Sequence, residues 1–208
     1  MIKPINKQGA PVLYEKTAPV APIITRVEGT EKGLSSLSDQ SDSAHKPKEI
    51  FGTDESGGKI KFVWPTMYLQ LVADLLETAE SIADTCMGLA ATQIWDKHPE
   101  PCPNIFIMRW PCERTIKERG WDWQEFINPI CKLSGKTVKL QEGCLSYPGL
   151  SVKKTRKSTV NLTFQTLTNP RQQKARFTMN QHSWIPHVIQ HECDHLKGVC
   201  VRSRNFQK

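Results

Sequence analysis

The clearest pattern along the chain is helical. From Pro65 onward, Tyr68, Leu69, Val72, Leu75, Leu76, Ala79, Ile82 and Ala83 return at three- and four-residue intervals, while Asp74, Glu77 and Glu80 take other positions. That spacing predicts an amphipathic helix with Pro65 in its first turn. It runs into Met87-Gly88-Leu89-Ala90-Ala91-Thr92-Gln93, whose small residues allow a close approach to the backbone. A second helix is predicted over 184–197, with Ser183 as N-cap, Pro186 in the first turn and Gly198 as the stop.

Between these helices the pattern shortens. Ile105 to Met108, Phe126-Ile127 before Asn128-Pro129, and Val138 to Leu140 leading into Glu142-Gly143-Cys144 read as separate short strands. Val160, Leu162 and Phe164 alternate with Asn161, Thr163 and Gln165, the period of a half-buried strand. Prolines at 99, 101, 103 and 111 make 96–123 a loop-rich excursion around one strand. The region from about 28 to 59 is rich in Ser, Gly, Asp and Lys, lacks apolar periodicity, and reads as a polar surface insertion. The expected fold is α+β: short antiparallel strands in mixed sheets around a central helix, in one domain over 1–208.

Composition narrows the class. With 208 residues, 38% hydrophobic and 24% charged, the chain can bury a sizeable core. It has no apolar run of about 18 residues and no basic-then-apolar leader, so neither a membrane span nor a secretory signal is expected, and a cytoplasmic location is. Its 28 basic against 21 acidic residues give a net charge of +7, which permits transient attraction to a polyanionic surface such as the ribosome but carries no specific nucleic-acid motif. The cluster Lys153, Lys154, Arg156 and Lys157 reads as a solvated strand edge. Seven cysteines, an odd number without a C-x-x-C pair, point to a reducing compartment.

The chemistry is concentrated in the second helix. His191-Glu192-Cys193-Asp194-His195 is an H-E-x-x-H motif. Residues four apart differ by about 40° around a helix, so both imidazoles can reach one cation, while Glu192 sits beside them as a base. Trp184 and Val188 continue the histidine face, and Ile185 and Ile189 flank it, which directs the motif toward a core or cleft. An open catalytic metal site needs a third protein ligand. His182 and His187 are close in sequence, but consecutive turns of one straight helix cannot surround an ion. A ligand from another element is preferable, and Cys144, preceded by Gly143, is the best candidate because a thiolate suits a borderline-soft divalent metal.

Three segments in order, Met87 to Gln93, Glu142-Gly143-Cys144-Leu145-Ser146 and Gln190 to His195, resemble the three signature motifs of peptide deformylases. Weaker similarity covers most of the chain outside 28–59 and 96–123. The resemblance implies a metal-dependent hydrolase that removes the formyl group from the N-formylmethionyl end of nascent chains and releases formate. It implies Cys144, His191 and His195 as ligands of one divalent metal, with Fe²⁺ native and Ni²⁺, Co²⁺ or Zn²⁺ able to replace it. Glu192 is implied as general acid/base, and Gln93 with the Leu145 N–H as donors to the developing oxyanion. Met87, Gly88, Leu140, Trp184 and His187 match positions that line or border the substrate, and Glu142 with Arg156 matches a clamp behind the Cys144 loop.

Three positions depart from the family's pattern: Cys86 stands where glycine is usual, Ser151 where many members have arginine, and His187 where an apolar pocket residue is common. Two other classes compete. A zinc peptidase needs a further Glu or His ligand after His195, and residues 196–208 hold neither. A binding module with a structural zinc needs a fourth protein ligand, and none stands at regular spacing.

Overall fold

A computed structural model describes residues 1–26, 49–97, 100–110, 122–179 and 184–201. Ser183, His182 and the bulk of the expected insertion lie outside the described residues. The apolar repeat after Pro65 forms α1 (Thr66–Ser81), which buries Leu71, Val72, Leu75 and Ala79 along one face. The expected α+β architecture is present, among the described residues, as two antiparallel sheets and two long helices. No helix among the described residues is long and apolar enough to cross a membrane.

The larger sheet has five strands in the order β4 (Gly88–Ala90), β5 (Ile105–Trp110), β6 (Asp122–Gly143), β7 (Ser151–Gln165) and β8 (Gln173–Thr178). Its second strand, β5, is the most deeply covered, with the run Ile105-Phe106-Ile107-Met108 buried on both faces. The sequence reading of separate strands around Phe126 and Val138 is corrected here, because both belong to the single strand β6. Asn128-Pro129 kinks the ladder without ending it. Asn128 takes a left-handed φ of 50°. Its side chain then staples the kink by donating to Val20 O and Gln165 Oε1 at 2.6 and 2.7 Å, while accepting from Val20 N at 2.9 Å. The pairing with β7 slips here and again between Ser134 and Thr137, so bulges absorb the irregularity.

The polar stretch also needs correction. Its end is ordered as β2 (Glu49–Thr53) and β3 (Lys59–Val63), which join β1 (Ile23–Arg26) in a three-stranded sheet ordered β1-β3-β2. The turn between β2 and β3 is closed by Asp54, whose Oδ1 accepts the Ser56 and Gly58 N–H groups at 3.0 and 2.8 Å. Phe62 anchors this hairpin in the interior.

The second helix, α2, spans Ile185–His195, shorter at both ends than the sequence reading. Ile185, Ile189, Cys193 and Leu196 pack on Phe106, Phe126, Val160, Leu162 and Phe164 of the large sheet. Each such fully buried side chain stabilises the fold by about 1.5–3 kcal/mol. Gln190 fixes the register of helix on sheet: its amide accepts from Lys157 N at 3.0 Å and donates to Lys157 O at 2.8 Å. The chain leaves α2 through Gly198 at φ 73°, where an added Cβ would lie 2.5 Å from Tyr14 O. Glycine is required there for both conformation and space.

Candidate active site

The site forms where α2, the loop after β6 and the small-residue strand β4 meet. α2 presents the two imidazoles of its motif on one side, with ring centroids 4.9 Å apart. The strand β6 delivers Cys144 to the same place, its Sγ 3.3 Å from His195 Nε2. Ligand atoms of Cys144, His191 and His195 all lie within 4.8 Å of one another. One sulfur and two imidazole nitrogens from two elements make three donors, one short of a closed tetrahedron. A divalent cation fits this set, since a sulfur and two imidazole nitrogens suit a borderline-soft metal.

Behind the cluster lies Glu142, 3% exposed. Arg156 donates to it through Nε and Nη2 at 2.5 and 2.8 Å, and reaches Asp194 through Nη1 at 2.6 Å. The same carboxylate meets His187 Nε2 at 3.0 Å and His191 Nδ1 at 3.1 Å. Burial by itself would push this carboxyl up. The hydrogen bonds from His187, His191 and Arg156 win, and hold it far below the usual carboxylate range. The contact with His191 Nδ1 turns the ring's other nitrogen toward the cluster, the way a carboxylate orients a metal-ligating imidazole. Asp194 and His187 belong to this network, and nothing in their local sequence pattern announced it.

Glu192, one residue along the helix from His191, is equally buried and has the opposite surroundings. Its Oε2 has no hydrogen-bond partner, and burial lifts its carboxyl to about 7. It faces a cleft of about 540 Å³, which Met87, Gly88, Gln93, Cys144, Leu145 and His187 also line. Leu140 and Trp184 do not line it. Leu140 lies on β6 opposite Lys154, and Trp184 packs on the core beneath α2. An added Cβ at Gly88 would lie 2.7 Å from Glu192 Oε1 and 2.9 Å from Val188 Cγ1, so the strand can pass this close only as glycine. Next to it the buried Cys86 thiol donates to Gly88 O at 3.3 Å, and burial pushes it up to about 12, which makes it an inert packing group. Ser151, exposed at the start of β7, accepts from Gln141 Nε2 at 2.8 Å.

Gln93 is 2% exposed, and its Oε1 accepts the Ala90 N–H at 2.9 Å. That bond fixes the amide's orientation and leaves Nε2 toward the cleft, where it makes one long contact of 3.4 Å to Ser146 Oγ. The strand β4 is an edge strand paired only with β5, so its outer edge can accept an extended peptide.

An α+β fold that brings a thiol, two imidazoles and a buried unpaired carboxyl to one cleft defines a metal-dependent hydrolase. A family model described as polypeptide deformylase matches residues 58–206. The peptide deformylase of Wolbachia pipientis subsp. Culex pipiens is 36% identical over 62% of this chain and 69% of its own length. Among solved structures, peptide deformylase from Thermotoga maritima is 20% identical with a TM-score of 0.60, covering 97% of this chain and 95% of that one. The Met-Ala-Ser bound class I type b peptide deformylase from Acinetobacter baumannii is 19% identical with a TM-score of 0.59, covering 96% of each chain. The chain belongs to the polypeptide deformylase family. It is a metal-dependent hydrolase that removes the N-formyl group from formylated nascent polypeptides and releases formate.

Proposed function

We propose that Cys144, His191 and His195 hold the metal, that Glu192 is the general acid/base, and that Gln93 Nε2 and the Leu145 N–H stabilise the developing oxyanion. The observation that carries this reading is the buried Glu192 carboxyl with an unpartnered Oε2, beside a three-donor cluster on the same cleft. A divalent cation bound there acidifies water and polarises a carbonyl oxygen. Glu192 takes a proton at Oε2 as water adds to the formyl carbon, then delivers one to the leaving amine. Gln93 is preset for its part by the Ala90 N–H, so its donor needs no reorganisation when charge develops on the formyl oxygen. The edge of β4 at Gly88 takes the peptide backbone, and Met87 and His187 border the methionine side chain.

The metal is Fe²⁺ in the cell, replaceable by Ni²⁺, Co²⁺ or Zn²⁺, since a thiolate with two imidazoles accepts all four. Protein purified without oxygen should carry about one iron per chain and release formate from formyl-Met-Ala-Ser, and Cys144→Ala should lose both properties. Formate release by Cys144→Ala at the parent rate would sink the ligand assignment. The enzyme acts in the cytoplasm, where its six described cysteine thiols stay reduced. Transient ribosome contact is supported by the outer face of β6, β7 and β8. Lys132, Lys139, Lys153, Lys157, Lys174 and Arg176 are all exposed on those strands. Co-sedimentation with ribosomes should weaken as salt rises, and absence from ribosomes at low salt removes the idea.

A further inference from the structure

Three consecutive residues near the start of the chain, Asn6, Lys7 and Gln8, join two loops that are far apart in sequence. On one side Asn6 N donates to Gln93 O at 2.6 Å, and Asn6 Nδ2 donates to Thr92 O and Trp95 O, both at 3.0 Å. On the other side Lys7 Nζ donates to Leu145 O at 2.9 Å and Gln8 N donates to Ser146 O at 3.0 Å. The first loop carries the Gln93 amide, the second the Leu145 N–H. Their direct side-chain link is the long 3.4 Å contact from Gln93 to Ser146. We propose that this segment is a strap that sets the spacing of the two oxyanion donors, and that Asn6 is its positioning residue.

The physical need is local. Gln93 ends a three-residue 3-10 turn, Ala91–Gln93, and turns this short have poor hydrogen-bond geometry and leave their last carbonyls without partners. Internally the turn is closed by Ile94 N and Trp95 N on Ala91 O, at 3.0 and 2.9 Å. Asn6 supplies donors to three of the carbonyls beyond it, those of Thr92, Gln93 and Trp95. Both amide hydrogens of its side chain are used, so an isosteric carboxylate would remove two donors and set a negative charge against two carbonyl oxygens. Lys7 and Gln8 then tie the neighbouring loop to the same stretch of backbone. An oxyanion hole acts through donors fixed in place before the reaction, so a spacer between its halves acts on turnover rather than on substrate capture.

The proposal rests on Gln93 and Leu145 as the oxyanion donors, and a double-mutant cycle separates the two ideas. Asn6→Asp should lower kcat for formyl-Met-Ala-Ser by about 10-fold or more, within the roughly 10²–10³-fold that loss of a whole oxyanion donor costs. KM and bound metal should stay near the parent values, and Asn6→Ala should be milder than Asn6→Asp. In the Gln93→Ala background the same Asn6→Asp change should cost less than about twofold, because the group it positions is gone. Lys7→Met, at an exposed side chain that does not endanger folding, should lower kcat by about 2–5-fold through the Leu145 N–H, whose loop Lys7 ties down. Equal costs in both backgrounds, or an unchanged kcat in Asn6→Asp and Lys7→Met, overturn the strap alone. An unchanged kcat in Gln93→Ala itself overturns the donor assignment, and the strap with it.

Discussion

Glu142 and Glu192 are both 3% exposed, yet the two regions that surround them do opposite things to a carboxyl group. The region behind the cluster of Cys144, His191 and His195 surrounds Glu142 with His187, His191 and Arg156, and their hydrogen bonds outweigh burial. The region facing the cleft leaves Glu192 Oε2 without a partner, and burial raises its carboxyl to about 7. The first therefore serves as a fixed negative charge on which Arg156, His187 and His191 converge. The second is poised where a proton can be taken up and released near neutral pH. The lesson is that burial alone says nothing about the role of a carboxylate; the count of donors around it decides.

Exchanging each acid for its amide is the sharpest test of that contrast. Glu192→Gln should lower formate release by about 10²–10⁴-fold while bound metal, measured by elemental analysis, stays the same. A loss of less than about tenfold would erase the distinction between the two regions. Glu142→Gln should act in the other sense, weakening metal binding by about 10–100-fold in chelator competition because His191 loses its orienting partner. It should also cost about 3–5 kcal/mol in urea unfolding, since the buried Arg156 would keep only the half-buried Asp194 as its counter-charge among the described residues. Full stability in that variant would show that the Arg156 network is not what holds the loop.

The smallest expected effect probes the boundary of the cleft-facing region. Gly88→Ala puts a methyl group where Glu192 Oε1 and Val188 Cγ1 already sit at 2.7 and 2.9 Å, so the Glu192 carboxyl must shift. Turnover should fall by about 10-fold, below the roughly hundredfold that a displacement of about 1 Å can cost. Stability should fall by about 1–3 kcal/mol, as overpacking does. Thermal unfolding beside the formate assay separates the two, and a fully active Gly88→Ala would show that the strand can yield.

Local pattern carried much of the fold. The repeat from Tyr68 to Ala79 is α1, and the alternation around Val160, Leu162 and Phe164 is part of β7, because each signal is contained within one element. It failed at Asn128-Pro129, which reads as a strand end. There the kink is held by Asn128 bonding to Val20, 108 residues away, a partner no local pattern contains. It failed also at the end of the polar stretch, where Ile50 and Phe51 stand alone among polar residues and their partner strand, Lys59–Val63, begins only where that stretch stops.

In the same way, what the sequence determined by itself about the chemistry is what helix periodicity guarantees: two imidazoles one turn apart with a carboxyl beside them. The three ordered motifs add the thiol of Cys144 and with it the family. Only the tertiary structure decided that Asp194 and His187 complete a charge network with Arg156 and Glu142, and that Gly88 touches Glu192. It alone decided that Asn6 spans 86 and 89 positions to reach Thr92 and Trp95. The reason is that charge state, contact and spacing depend on which distant groups share a volume, and a linear pattern records only neighbours along the chain.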